Sequence, residues 1–127
     1  MTGDVTMNFR LKTSKLAGDT LKDLSNSTGL TWNILSRIAV AMSLNDPTPP
    51  SPVEDRNGVD ISRNTMTGEY DYIYKAMITQ HAGKSLSEDE YFPSLFNAHL
   101  ERGLRLLNSE YSLAGNYEKL LINLLKM

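Results

Sequence analysis

The chain of 127 residues is 40% hydrophobic and 22% charged, with a formal net charge of -2. Single domains run to roughly 100–200 residues, so one compact domain spanning 1-127 is expected, and the composition excludes both a disordered tail and a uniformly basic nucleic-acid binder. The lack of cysteine excludes disulfides, thiol catalysis and iron–sulfur or cysteine–zinc ligation, while no apolar run nears the roughly 20 residues of a membrane span and the polar start lacks a signal-peptide core, so a cytoplasmic location is expected.

In Met7-Asn8-Phe9-Arg10-Leu11-Lys12 the apolar Met7, Phe9 and Leu11 alternate with polar Asn8, Arg10 and Lys12. That alternation predicts a short strand with one core face and one polar face. Ser14 then caps a first helix carrying Ala17, Leu21 and Leu24, and Gly29 supplies its stop. Thr31 caps a second helix with Ile34, Leu35, Ile38 and Met42 on its inner face. The order strand, helix, helix is the ribbon-helix-helix plan of small DNA-binding modules. Its cations Arg10, Lys12, Lys15, Lys22 and Arg37 outnumber Asp4, Asp19 and Asp23 up to Asn45, making this the basic part of the chain.

A Pro-rich loop follows at 46-58, because each proline lacks a backbone donor and restricts the residue before it. Val53 to Thr67 reads as a long loop, with Asn57-Gly58 as a turn and Val59-Asp60-Ile61 as one short strand at most. From Asp46 to Gly83 six acids face Arg56, Arg63 and Lys75, a balance expected to repel phosphate. Tyr70, Ile73, Tyr74, Met77, Ile78 and His81 recur at helical spacing up to Gly83, which predicts a third helix. Ser87 and Glu90 form a capping-box pattern, Pro93 predicts a kink, and Leu95, Phe96, Leu100, Leu104 and Leu107 mark the next helix. Gly115 and Asn116 open a last helix whose Tyr117, Leu120, Leu121, Leu124 and Leu125 form a broad stripe that calls for a partner, such as another subunit. The fold class expected is mainly α, a compact helical domain with a short N-terminal strand.

Chemical signals are sparse. His99 and Glu101 match half of a zinc deaminase signature, without the cysteine pair that completes it. With His81 as the one other histidine, no metal site is expected, and His99 reads as a partly buried helix residue. Gly58, Gly68 and Gly103 lack the spacing of a phosphate-cradling loop. Tyr70, Tyr72 and Tyr74 either stack on unpaired bases or, by helical period, place two rings in the core and one outside. Arg102 and Arg105 read as a solvated, ion-paired face with Glu101 ahead of a phosphate clamp. Trp32 reads as a packing anchor, ahead of a ring set with Asn33 against a duplex backbone. For Arg10, Lys12, Lys15, Lys22 and Arg37, spacing alone does not decide between phosphate binding and ordinary surface charge. No catalytic residue and no cofactor is assigned.

Several blocks of the chain, taken together, resemble the DNA sulfur modification protein DndE family of the bacterial DNA phosphorothioation system. They are Arg10 to Ser14, Ser27 to Ala39, Thr67 to Asp71 and Asn97 to Gly103. The resemblance implies a part in replacing a non-bridging phosphate oxygen of DNA with sulfur, alongside a cysteine desulfurase and an ATP-dependent sulfur-transfer component. A chain without a thiol cannot carry persulfide sulfur. It is therefore expected to be a non-catalytic DNA-binding component, a homo-oligomer with a tetramer as one form, meeting double-stranded DNA, nicked or distorted, through the five N-terminal cations. The alternative is a scaffold that assembles the sulfur-modification proteins. A nicking enzyme using Tyr70, Tyr72 or His99 ranks last.

Overall fold

The computed structural model describes residues 9–126; Met7 and Asn8 of the predicted strand lie outside the described residues. Strand β1 is Arg10–Lys12 and pairs antiparallel with β2, Asp60–Ser62, with Leu11 opposite Ile61. Leu11 and Ile61 bury on the core face while Arg10, Lys12 and Asp60 face outward, as the period of two requires. Phe9, expected beside Leu11 in the core, is instead exposed. Strand β2 ends at Ser62, and Arg63, whose amide donates to the Phe9 carbonyl at 2.6 Å, begins a helix, so among the described residues no sheet surface continues to cover the ring. The ribbon is thus formed within the chain, from segments far apart in sequence.

Helix α1, Lys15–Thr28, starts where the Ser14 hydroxyl accepts from the Ala17 amide, buries Ala17, Leu21 and Leu24, and stops at Gly29 in the left-handed region. Helix α2, Trp32–Leu44, follows Thr31, whose hydroxyl bonds the Asn33 side chain and caps no amide. Its buried residues are Leu35, Ser36, Ala39, Val40 and Ser43: of the predicted Ile34, Leu35, Ile38 and Met42, Leu35 is buried and the face is rotated away from the other three. Ile34 is exposed, Ile38 and Met42 lie at the edge, and Trp32 packs on the rim of the core. The cause is the crossing helix that carries Gly103: a Cβ at Gly103 would overlap the Ala39 carbonyl, so the two backbones touch, and small side chains hold the contact.

The segment read as a loop from Val53 to Thr67 holds β2 and a one-turn helix α3, Arg63–Met66, capped by Ser62. A 3-10 turn over Gly68–Tyr70 leads into α4, Asp71–Ala82, which stops at Gly83. Ile78 is the one buried side chain of α4. Tyr74 is partly covered, edge-on to Phe96 at 6.0 Å, while Tyr70 and Tyr72 are exposed, so one tyrosine packs rather than two. A partly buried ion network fastens this corner. Arg63 grips Asp71 with Nε at 2.9 Å and Nη2 at 2.6 Å and reaches Glu88 at 3.2 Å, and Thr67 and Tyr91 donate to Asp71 Oδ1. Burial opposes ionisation of Asp71, but the bonds from Arg63, Thr67 and Tyr91 prevail and hold its carboxyl below the ordinary range.

The Ser87–Glu90 capping box forms in both directions, at 2.9 and 3.2 Å. A wide turn over Glu90–Leu95 follows, and Phe92 leaves helical geometry at φ -136, ψ 122, which makes the kink expected at Pro93. Helix α5, Phe96–Ala114, is the central element and buries Phe96, Leu100, Leu104 and Leu107. Helix α6, Tyr117–Leu125, is capped by Asn116 and buries Leu120, leaving Leu121, Ile122 and Leu125 exposed. Among the described residues no helix is long and apolar enough to cross a membrane.

Candidate nucleic-acid interface

Thr13 ties the end of β1 to the segment before β2. Its amide donates to the Val59 carbonyl at 3.0 Å, its carbonyl accepts from Gly58 at 2.9 Å, and its hydroxyl accepts from Val59 at 3.0 Å. Gly58 lies so close that a Cβ would overlap the Ser14 carbonyl, so the Asn57-Gly58 turn needs glycine at this point. The fold-back sets Pro52, Val53 and Arg56 beside Arg10 and Lys12. With Pro93, Ser94 and Asn97 they enclose a cavity of about 400 Å³. Three cations line it against one acid, Asp60, which pairs with Arg10 at 2.8 Å. Among the described residues Lys12 and Arg56 pair with no acid. Asn97, almost fully buried, donates to the Lys12 carbonyl at 3.0 Å and keeps Oδ1 without a hydrogen-bond partner among the described residues.

The five predicted cations do not gather in one place. Arg10 and Lys12 share the cavity. Lys15 pairs with Asp19 at 3.1 Å one turn along α1, and Lys22, exposed and seven residues from Lys15, lies on the same helix face. Arg37 serves the fold: its Nε donates to the Met66 carbonyl at 3.0 Å and its guanidinium lies 6.0 Å from the Tyr70 ring centre. Arg56 was hidden by its place in an acidic stretch, and only the antiparallel pairing of β1 with β2 brings it to the basic face.

A helix N-terminus attracts anions through its free amides. Here carboxylates take those donors. Glu101 accepts from the Ser14 amide at 3.0 Å and the Ser14 hydroxyl at 2.7 Å, and Asp55 accepts from the Lys15 amide at 3.0 Å. The amides of Lys15 and Asn57 hold the Asp55 carboxyl below the ordinary carboxylate range. Side-chain cations, rather than backbone amides, are what this face offers an anion.

Arg102, read as part of a solvated face, is instead buried. Its Nε donates to Ser43 Oγ, its Nη2 to the Ser43 carbonyl and its Nη1 to the Thr48 carbonyl, each at 2.8 Å. It satisfies the carbonyl end of α2 and pins the Pro-rich loop. Arg105 stays exposed. His99 is 1% exposed, not partly buried, with Nδ1 at 2.8 Å from Ser43 Oγ and its ring 4.7 Å from that of His81. Burial, then the neighbouring His81 and Arg102, pushes its imidazole down to about 4.

The fold and this site define a small helical domain that presents cations from a two-stranded ribbon and a folded-back loop. The chain belongs to the DNA sulphur modification protein DndE family, which matches it over residues 10–115. It is similar in fold to the crystal structure of DndE from Escherichia coli B7A, described as involved in DNA phosphorothioation modification, with a TM-score of 0.65 at 24% identity over 80% of this chain and 98% of that one. A mutant form of DndE, likewise described as involved in DNA phosphorothioation, gives a TM-score of 0.60 at 20% identity over the same shares. None of the curated proteins compared matches the chain.

Proposed function

We propose that this protein is a non-catalytic DNA-binding component of the phosphorothioation machinery, holding the duplex backbone through Arg10, Lys12 and Arg56 with Lys15 and Lys22 flanking them. The observation that carries the reading is the cavity in which those three cations face a single acid. Family membership supplies the context of DNA sulphur modification. A net charge of -2 makes one such face weak, so a homo-oligomer, a tetramer being one form, brings several faces to the same DNA. A nicked or distorted duplex is the preferred target, since modification needs access to one strand. The cysteine desulfurase and ATP-dependent sulfur-transfer component are the partners that supply the chemistry.

Fluorescence anisotropy with labelled intact and nicked duplexes, titrated over a salt series, tests this. The Arg10→Ala, Lys12→Ala, Arg56→Ala triple variant loses binding, and each single variant lowers the salt slope by about 0.9 per phosphate contact removed. Unchanged affinity in the triple variant sinks the assignment of this face. Equal affinity for the two duplexes removes the preference for nicks. A second reading, partner docking without DNA contact, has its own observation in the exposed Leu121, Ile122 and Leu125 of α6. Pull-down of the desulfurase by the triple variant, together with no DNA affinity in the native protein, favours it.

A further inference from the structure

A second cavity, about 500 Å³, opens between the end of α4, the turn before α5 and the Pro-rich loop. His99 and His81 share its wall with Pro49, Pro50, Ala82 and Leu95. The hydrogen bonds behind His99 fix where its proton sits. Arg102 can only donate, and its Nε donates to Ser43 Oγ. Ser43 is fully buried, and the other polar contact of its hydroxyl is His99 Nδ1. The hydroxyl proton therefore goes to Nδ1. A neutral ring that accepts at Nδ1 carries its own proton on Nε2. Among the described residues Nε2 has no hydrogen-bond partner, on a side chain that is buried and lines the cavity. The result is a fixed donor in an otherwise largely apolar wall. His81 is committed elsewhere, its Nε2 donating to the Asp46 carbonyl at 2.6 Å.

The charges at the mouth narrow the ligand class. Lys84 lies 3.7 Å from Glu90 and is offset by it, so among the described residues the rim offers no unpaired base to hold an anion. Among the described residues no group of three metal ligands forms, so the imidazoles have no third partner for a cation. We propose that this cavity binds a small, flat, uncharged heterocycle or amide, seated against Pro50 and Leu95, whose carbonyl oxygen accepts from His99 Nε2–H. A preformed pocket of this size with one placed donor is how such ligands are held and oriented. The cavity meets the cationic one at Ser94 but contains none of Arg10, Lys12 and Arg56.

The test uses the full chain with 2-pyridone as probe and benzoate as its flat anionic counterpart, read by long-range proton–nitrogen NMR of the histidine rings. In the free protein His99 shows the Nε2–H tautomer, and 2-pyridone shifts its Nε2 signal with saturation, binding at least tenfold more tightly than benzoate. Leu95→Trp, which fills the cavity, abolishes the shift, and His99→Phe, which keeps a ring but no donor, weakens 2-pyridone binding at least tenfold by calorimetry. Circular dichroism checks that each variant is folded, and Ala82→Leu replaces Leu95→Trp if that variant is not. An Nδ1–H tautomer, a 2-pyridone titration that leaves His99 unmoved to its solubility limit, full binding by the filled variant, or equal binding of benzoate overturns the proposal.

Discussion

Lowering the pH from 7 to 5 is expected to destabilise this protein by about 2 kcal/mol through His99 alone. In the unfolded chain the imidazole titrates at its ordinary 6.5, and in the fold burial first, then His81 and Arg102, brings it down to about 4. The unfolded state therefore takes up a proton that the folded state refuses. Stability is complete above 6.5 and falls as the pH drops toward 4. At pH 5 the unfolded ring is almost fully charged and the folded ring almost fully neutral, which gives about 2 kcal/mol from 1.36 kcal/mol per pKa unit, with a limit of about 3 kcal/mol near pH 4. Carboxylates of the unfolded chain take up protons mainly around pH 4, so the window from 7 to 5 isolates the histidine. Urea denaturation at pH 7, 6 and 5 reads the slope, and His99→Gln, less stable throughout, should flatten it. A native stability that does not change over this window, or a slope that survives in His99→Gln, refutes the argument that burial, with His81 and Arg102 beside it, keeps the ring neutral.

Other perturbations follow from the same geometry. Glu101→Ala frees the Ser14 amide and hydroxyl at the start of α1 and should cost about 1–2 kcal/mol by urea denaturation, with Glu101→Gln recovering part of it. Gly103→Ala forces a methyl into the Ala39 carbonyl and should cost about 1–3 kcal/mol or more, seen as a lower thermal midpoint. Asp71→Ala removes one of the two carboxylates that pair with the buried Arg63 guanidinium among the described residues and should cost about 3 kcal/mol; a loss under 1 kcal/mol would mean the network adds little. Arg37→Ala should lower the thermal midpoint while leaving DNA affinity within twofold, because its contacts are Met66 and Tyr70.

Much of the helical frame was legible because helix limits are set by neighbours in sequence. Ser14 caps an amide three residues on, Ser87 and Glu90 bond each other across three residues, and Gly29 and Gly83 stop helices by their own backbone freedom. The site was less legible. Arg10 and Lys12 were found from alternation, but Arg56 sits 46 and 44 residues further along, among acids, and no local pattern connects them. Hydropathy also misled on burial. Ile34 is exposed while Ser36 and Ser43 are buried, because the close crossing at Gly103 selects small side chains rather than the most apolar ones.

The sequence by itself determined the five longer helices, their order and membership of a DNA sulphur modification family, since caps, periods and family blocks are written in short stretches of residues. Only the tertiary structure decided that Glu101 and Asp55 occupy the start of α1, that Arg102 turns inward to hold the Pro-rich loop, and that Arg56 joins Arg10 and Lys12. Those outcomes depend on which donors and acceptors meet across tens of residues, and on which charges lose contact with water when they do. Chain folding sets both, and neither is a property of any single stretch.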